Sequence, residues 1–242
     1  MIVNSGCTKI QPGPSAVLPS PFEGRVGTPV IAAPVLAVGP RQYEATSSMA
    51  HHLDPLRAFP RSLERTVIPA VDSLGDDWWT SEDFLDPVTV QGDRIEIPVR
   101  LFGTDLASAK TIGSKAKLVR ACLLSRHHDG FVREAQLDRL LEATTDWSLP
   151  YVVQLTGEYV VEIHEKILAQ IEAIPRALVD EFAAANPKFI AKTKQRVISY
   201  WFCYHREKIE LADLAACQIL DKLGWWRKRD LPQRKQRQKW RG

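Results

Sequence analysis

The clearest alternation of apolar and polar residues in the chain lies at residues 87–101. An apolar residue at every second position is typical of a strand with one buried face. Two such runs of alternating residues lie on either side of a short polar segment. We therefore predict a β-hairpin whose two-residue turn is Gly92-Asp93, with Pro98 restricting the second strand to a sheet edge. The alternating residues are Val88 and Val90, followed by Ile95, Ile97 and Val99.

From about residue 105 to residue 224 the apolar positions recur every three or four residues, which predicts a helical domain. Capping residues and prolines divide this region into segments, and we expect Asn186 to cap the helix that starts with Pro187 and Gly224 to end the last helix as a left-handed cap. The predicted fold class is therefore mainly α, an irregular bundle or short array of five to six helices with one small β-hairpin. The predicted helices span about 114–125, 130–143, 149–171, 175–185, 187–204 and 207–223.

The helix predicted at 149–171 has apolar residues around nearly its whole circumference, so we expect it to be the most buried one. Glu158, Glu162 and Glu165 fall on one stripe of that helix, at spacings of four and three residues. We interpret the stripe as a solvated or salt-bridged face that pairs with Arg133 or Arg139. If Glu158 and Glu162 are instead buried, they and Arg133 form the best candidate polar cluster in the domain.

The N-terminal part of the chain has a different composition from the helical region. Residues 1–48 contain seven of the sixteen prolines and five glycines, which predicts disorder. Met1 and Met49 are the only methionines, and the composition changes at the second, so we hypothesise that translation begins at Met49. Residues 49–86 are polar and are predicted to form an extended linker, with Trp78 or Trp79 packed on the domain.

Residues 129–140, with the sequence DGFVREAQLDRL, resemble the second half of a HEAT-type helical repeat. The resemblance covers about residues 114–142. It implies that the aspartate caps the inner helix and that the arginine joins neighbouring repeats by hydrogen bonds. A second unit is not visible downstream, and this favours a compact bundle over a repeat array. The matching residues are Asp129, Val132, Arg133, Ala135, Leu137 and Leu140.

The net charge of +3 conceals an uneven distribution. Residues 225–242 carry eight Lys/Arg and one Asp, whereas the rest of the chain is mildly acidic. We predict a basic disordered tail, whose mixture of cations and tryptophans suits phosphate contact and base stacking, an anionic membrane surface, or a solvated terminus. The residues predicted to contact nucleic acid are Trp225, Trp226, Arg227, Lys228, Arg229, Arg234, Lys235, Arg237, Lys239 and Arg241.

Motifs for catalysis are absent from the sequence. It contains no glycine-rich phosphate loop, no Gly-x-Ser-x-Gly elbow and no paired ligands at zinc spacing, so we expect no enzyme activity, metal or cofactor. His127-His128 is interpreted as a capped turn, and Cys203-Tyr204-His205 as structural. Three cysteines, Cys122, Cys203 and Cys217, lie in apolar helical stretches and are expected to be small buried hydrophobes.

No apolar run reaches the roughly 20 residues of a membrane span, and no secretory signal is evident, so a cytoplasmic location is expected. Two function classes follow from these patterns. The first is a non-catalytic protein-interaction module that holds a protein partner through a helical groove or the hairpin edge. The alternative is a nucleic-acid-associated protein that binds phosphates through its basic tail.

Overall fold

The computed structural model describes residues 54–75, 78–80, 85–103 and 111–226, all of which lie in one compact unit bounded by residues 47 and 242. In this part of the chain the fold is mostly helical with one two-stranded antiparallel sheet, which confirms the predicted fold class. The expected disorder of residues 1–48 and the hypothesis about Met49 lie outside the described residues.

The predicted hairpin is present, with its turn shifted by one residue. Strand β1 (Leu85–Val90) pairs with β2 (Asp93–Pro98), and Val90 lies opposite Asp93. The turn is therefore Gln91-Gly92, and the predicted Gly92-Asp93 turn is wrong. Both turn residues have positive φ, 53° and 81°, as the two central residues of a type I′ hairpin turn require.

The prediction of an extended linker over residues 49–86 is wrong for most of the described part. Two short 3-10 turns, Pro55–Ala58 and Arg61–Leu63, lead into helix α1 (Glu64–Asp72), which packs against the next helix of the chain. Apolar residues recur at helical spacing among the polar residues of this segment, and they are the signal that indicates the helix. The buried ones are Leu63, Val67, Ala70 and Leu74.

Residues 114–142, which resemble a HEAT-type repeat, form three helices rather than two. Helix α2 (Ser114–Leu124) matches its prediction, but the predicted 130–143 helix is divided at Gln136 into α3 (Gly130–Ala135) and α4 (Leu137–Glu142). Asp129 caps α3 as expected, since its Oδ1 accepts from the backbone N–H of Phe131 at 2.8 Å. The Phe131 ring itself is 83% exposed.

The predicted 149–171 helix is also divided, because Gly157 ends the first segment. Helices α5 (Leu149–Thr156) and α6 (Val161–Gln170) are separated by a short irregular stretch. Every residue of α5 is buried, so this segment is the centre of the core. A side chain at position 157 would crowd Arg196, whose Cδ lies 3.3 Å from the position of an added Cβ. Glycine here thus allows α8 to pack closely.

Of the last three helices, α8 packs directly on α5. Helix α7 (Arg176–Ala185) and helix α8 (Pro187–Tyr200) match their predicted positions, and α8 continues into a π-helical turn, Trp201–His205. Helix α9 (Ala215–Lys222) packs on α6 and is shorter than the predicted 207–223 helix. It ends at Gly224, whose φ of 73° is the left-handed conformation predicted there.

Asn186 does not cap α8 with its side chain, contrary to prediction. Its amide instead bonds both backbone groups of Thr89, accepting from N–H at 2.7 Å and donating to the carbonyl at 2.9 Å. It thereby satisfies the outer edge of β1, which would otherwise leave these groups unpaired. No helix in the described part of the chain is long and apolar enough to cross a membrane.

Candidate functional site

A buried carboxylate surrounded by arginines lies in the break between α5 and α6. Glu158 is only 4% exposed, and the guanidinium group of Arg100 donates to both of its carboxylate oxygens, at 2.6 Å for Nη1 to Oε1. Arg126, which is also buried, donates from Nη2 to Oε1 of Glu158 and to the Val99 carbonyl. These contacts join α2, α5 and the residues that follow β2.

Arg133, one of the two arginines considered as partners for the predicted acid stripe, is the third arginine of this cluster. Its Nη1 donates to the carbonyls of His127 and His128 at 2.8 and 2.9 Å, and its Nη2 lies 3.9 Å from Oε2 of Glu158. The resemblance to a HEAT-type repeat implied hydrogen bonds to a neighbouring repeat, but these two bonds are made within the turn that precedes α3. Three guanidinium groups therefore face one carboxylate, and the cluster carries an excess of two positive charges.

The electrostatics of the cluster keep Glu158 ionised. Burial by itself favours the neutral acid, but Arg126, Arg100 and Arg133 outweigh it and lower the pKa of Glu158 to about 2. Burial lowers the pKa of Arg126 to about 10, although Glu158 opposes that change. Both groups are charged at neutral pH. The arginine cluster therefore keeps its excess positive charge beneath the nearby surface.

Glu162 does not join the cluster, so the predicted polar group of Arg133, Glu158 and Glu162 is only partly correct. Glu158 lies outside any helix, whereas Glu162 and Glu165 are exposed on α6. The predicted stripe is wrong because the helix ends at Gly157 and a new helix begins at Val161. The three acids therefore do not follow one another on a single helical surface.

A second buried carboxylate, which the sequence interpretation missed, lies on β1. Asp86 is 1% exposed and accepts from Lys192 Nζ, from Arg196 Nη1 at 2.9 Å and from Gln154 Nε2 at 3.0 Å. It shares the inward face of β1 with Val88, at the strand period of two. An acid at a core-facing strand position requires a cationic partner, and that signal could have indicated it.

Helix α8 carries cations at every fourth residue along the ridge that passes Asp86. Residues 187–206 contain five Lys/Arg and no Asp/Glu. We call Lys188, Lys192 and Arg196 the cation row; the side chain of Lys192 is 49% exposed and that of Arg196 is 21% exposed.

The cation row begins beside a groove between β1 and the start of α8. This groove has a volume of about 390 Å³, and Arg94 and Lys188 are the charged residues that line it. In the described part of the chain neither of these two cations forms an ion pair. Their charge is therefore available to a ligand.

The cation row leads to three tyrosines that contact one another, which we call the tyrosine cluster. The ring centroid of Tyr159 lies 5.7 Å from that of Tyr200 and 6.0 Å from that of Tyr204, and the last two are 6.2 Å apart. Tyr159 is 46% exposed and Tyr204 is 61% exposed. We use the term α8 face for the cation row, Arg94 and the tyrosine cluster together.

The start of the predicted basic tail belongs to the core. Trp225 and Trp226 are buried, and both of their backbone N–H groups donate to the carbonyl of Leu220, which folds the chain back on α9. Their predicted contact with nucleic acid and the tail boundary at residue 225 are therefore wrong. The remaining predicted tail contacts, Arg227, Lys228, Arg229, Arg234, Lys235, Arg237, Lys239 and Arg241, lie outside the described residues.

A second aromatic surface lies near the turn before α3. Trp79 stacks on Phe102 with ring centroids 4.4 Å apart, and Phe102 stacks on His128 at 5.6 Å. Trp79 is 43% exposed, while Trp78 packs partly buried against the core, as predicted for one member of the pair. We call Trp79, Phe102 and His128 the tryptophan stack.

The histidine and cysteine positions place no metal site in the described part of the chain, where no group of three potential ligands converges. His127 accepts at Nδ1 from the Asp129 N–H and faces the Gly103 carbonyl with Nε2, so both ring nitrogens are engaged. Cys122 is buried as expected, but Cys203 is exposed in the π-helical turn, and its predicted burial is wrong.

No protein-family model, curated protein or solved structure matches the chain. The resemblance of residues 114–142 to HEAT-type repeats therefore stays a prediction that rests on those residues alone.

Proposed function

We propose that the protein is a non-catalytic binding module whose principal binding surface is the α8 face. Of the two partner classes that the sequence leaves open, nucleic acid is the one that this surface suits better. The observation that carries the proposal is the row of cations along α8, which runs from a groove lined by Arg94 and Lys188 to exposed tyrosines.

Charge supports a polyanionic ligand. Asp86 neutralises only part of the charge of Lys192 and Arg196, and residues 187–206 contribute no other acid. The excess charge of the buried arginine cluster adds to the positive potential near Tyr159, which directly follows Glu158 in the chain. Polyanions such as nucleic acids bind to surfaces of this kind by releasing counterions.

Geometry supports a linear ligand. From Lys188 to Tyr200 the row covers about 18 Å at the helical rise of about 1.5 Å per residue. That length equals the axial rise of roughly five nucleotides in one strand of a duplex, at about 3.4 Å each, and accommodates fewer phosphates of a more extended single strand. The predicted tail contacts, such as Arg229 and Arg237, would extend this interaction, but the α8 face does not depend on them.

Fluorescence anisotropy with a labelled oligonucleotide at several salt concentrations tests the proposal. We expect the slope of log affinity against log salt to be about −2 to −3 for three to four phosphate contacts. The double variant Arg94→Gln/Lys188→Gln should weaken binding and make this slope shallower. Lys222→Gln, which removes an exposed cation of α9 that pairs with Glu172, is the matched control.

The outcomes separate the alternatives. Removal of residues 227–242 should weaken binding without abolishing it; a complete loss would assign binding to the tail alone. Binding to vesicles that contain anionic lipid, without binding to nucleic acid, would identify a membrane surface instead. No retention of any nucleic acid at low salt would refute the proposal.

A protein partner is the second candidate, and the tryptophan stack is the observation that favours it. Tryptophan is enriched among the residues that dominate protein interfaces, and Trp79 is 43% exposed. Trp79→Ala should abolish a salt-insensitive pull-down of one protein, whereas Arg94→Gln/Lys188→Gln should leave that pull-down unchanged. If neither variant alters it, the tryptophan stack is not the interface.

A further inference from the structure

The α8 face changes in chemical character along its length. At its start the groove offers Arg94 and Lys188, and its middle offers the cation row. At its end, three tyrosines replace the cations, and no lysine or arginine lies between Arg196 and Arg206. A surface that served phosphates alone would have no reason to end in a cluster of half-exposed aromatic rings.

The three rings come from two parts of the backbone. Tyr159 lies in the break between α5 and α6, whereas Tyr200 and Tyr204 are four residues apart, neighbours where α8 passes into the π-helical turn Trp201–His205, with their rings 27° from parallel. Isolated π-helical turns interrupt the regular ladder and are found frequently at functional sites. The break after α5 and the end of α8 thus bring three tyrosines to one point at the end of the cation row.

Aromatic side chains next to cations recognise nucleic acid by stacking on bases. In a duplex the bases are already stacked on their neighbours, so only the terminal pairs have a free face. In a single strand every base can be turned toward an aromatic ring. The arrangement of cations followed by a tyrosine cluster therefore suits an unpaired strand. The interior bases of a duplex have no free face on which the tyrosines could stack.

We propose that the α8 face binds single-stranded nucleic acid, with its phosphates on Arg94 and the cation row and its unstacked bases on the tyrosine cluster. This inference rests on the proposed function and adds the class of strand and the division of labour along the face. Stacking is tolerant of base identity, so the protein binds without strong sequence preference.

Three probes of about twelve nucleotides test it: a thymidine strand, an abasic strand of the same length, and a blunt duplex. The thymidine strand binds at least about tenfold more tightly than the duplex. Loss of the bases weakens binding by roughly 5- to 150-fold, the factor that corresponds to stacking of one base at about 1–3 kcal/mol.

The variant Tyr204→Leu separates stacking from charge. It weakens binding of the thymidine strand by roughly 5- to 150-fold and leaves the abasic strand unaffected, because only the base interaction is removed. Phe131→Leu, at a ring that is 83% exposed on α3, is the matched control and alters neither. Thermal unfolding of both variants verifies that the fold is intact.

Failure of this inference can be distinguished from failure of the proposed function. If all three probes bind equally, or if Tyr204→Leu weakens the thymidine and abasic strands alike, the tyrosines do not stack on bases and this inference is overturned, while the proposed function stands. If none of the probes binds at low salt, the proposed function fails together with it.

Discussion

The side-chain amide of Asn186 bonds to both backbone groups of Thr89, across 97 residues of sequence, and also donates to the carbonyl of Phe182 at 3.0 Å. One side chain thereby fixes the hairpin to the junction of α7 and α8. This junction positions the start of the cation row, including Lys188, beside β1. The contact therefore positions one end of the α8 face.

Asn186→Ala should destabilise the protein by about 1–3 kcal/mol, because it removes the two part-buried bonds to Thr89 and leaves the buried Phe182 carbonyl without its Asn186 donor. Urea unfolding followed by circular dichroism measures the change. Gln195→Ala, an exposed substitution on α8, is the control and should stay within about 0.5 kcal/mol of the parent protein. Equal stability of both variants would mean that Asn186 does not secure the hairpin.

Glu158→Gln should be strongly destabilising, by about 3–5 kcal/mol, because it leaves three arginines without their shared carboxylate. The loss is measured as the difference in free energy of unfolding. Glu162→Gln on the exposed side of α6 is the matched control, with an expected change below about 0.5 kcal/mol. A mild effect of Glu158→Gln would show that the cluster is held by packing.

Acid should destabilise the fold in two separate ranges of pH. Burial lowers the pKa of His164 from 6.5 to about 4, so between these values the unfolded chain binds a proton that the folded chain does not. Stability therefore falls as the pH drops from about 6.5 to 4, by at most ~3 kcal/mol. Glu158, with its pKa lowered from 4.5 to about 2, adds a further loss as the pH falls through that lower range.

Free energies of unfolding from pH 8 to pH 4.5, followed by fluorescence, check the contribution of His164. The variant His164→Leu removes that group and should flatten the dependence on pH between about 6.5 and 4.5. An unchanged slope in this variant would assign the dependence to another group.

Leu140→Ala should cost about 2–5 kcal/mol, because Leu140 is fully buried on α4. Asp129→Ala should cost about 1 kcal/mol through loss of the cap of α3. Chemical denaturation measures both. A smaller loss of stability for Leu140→Ala than for Asp129→Ala would contradict the burial of Leu140 in the core.

Elements whose signals are local can be predicted from the amino-acid sequence. The alternation of Val88, Val90, Ile95 and Ile97 predicted the hairpin, the Asp129 cap predicted the start of α3, and Gly224 predicted the end of the last helix, since each depends on neighbouring residues only. The contact of Arg133 with Glu158 could not be singled out in this way, because the sequence left Arg139 equally open and Glu158 lies outside the helix on which the stripe was placed.

Which charged residues are buried together depends on contacts between distant parts of the chain, and these belong to the tertiary structure. Arg100, Arg126 and Glu158 come from three distant segments, and nothing in their spacing indicates that they meet. The helix predicted over 149–171 is interrupted at Gly157, where a side chain would crowd Arg196 of α8.

The α8 face likewise combines residues of one helix with Arg94 and Tyr159, which long-range packing brings beside it. Trp225 and Trp226 belong to the core because the chain folds back on α9, where both of their backbone N–H groups donate to the carbonyl of Leu220.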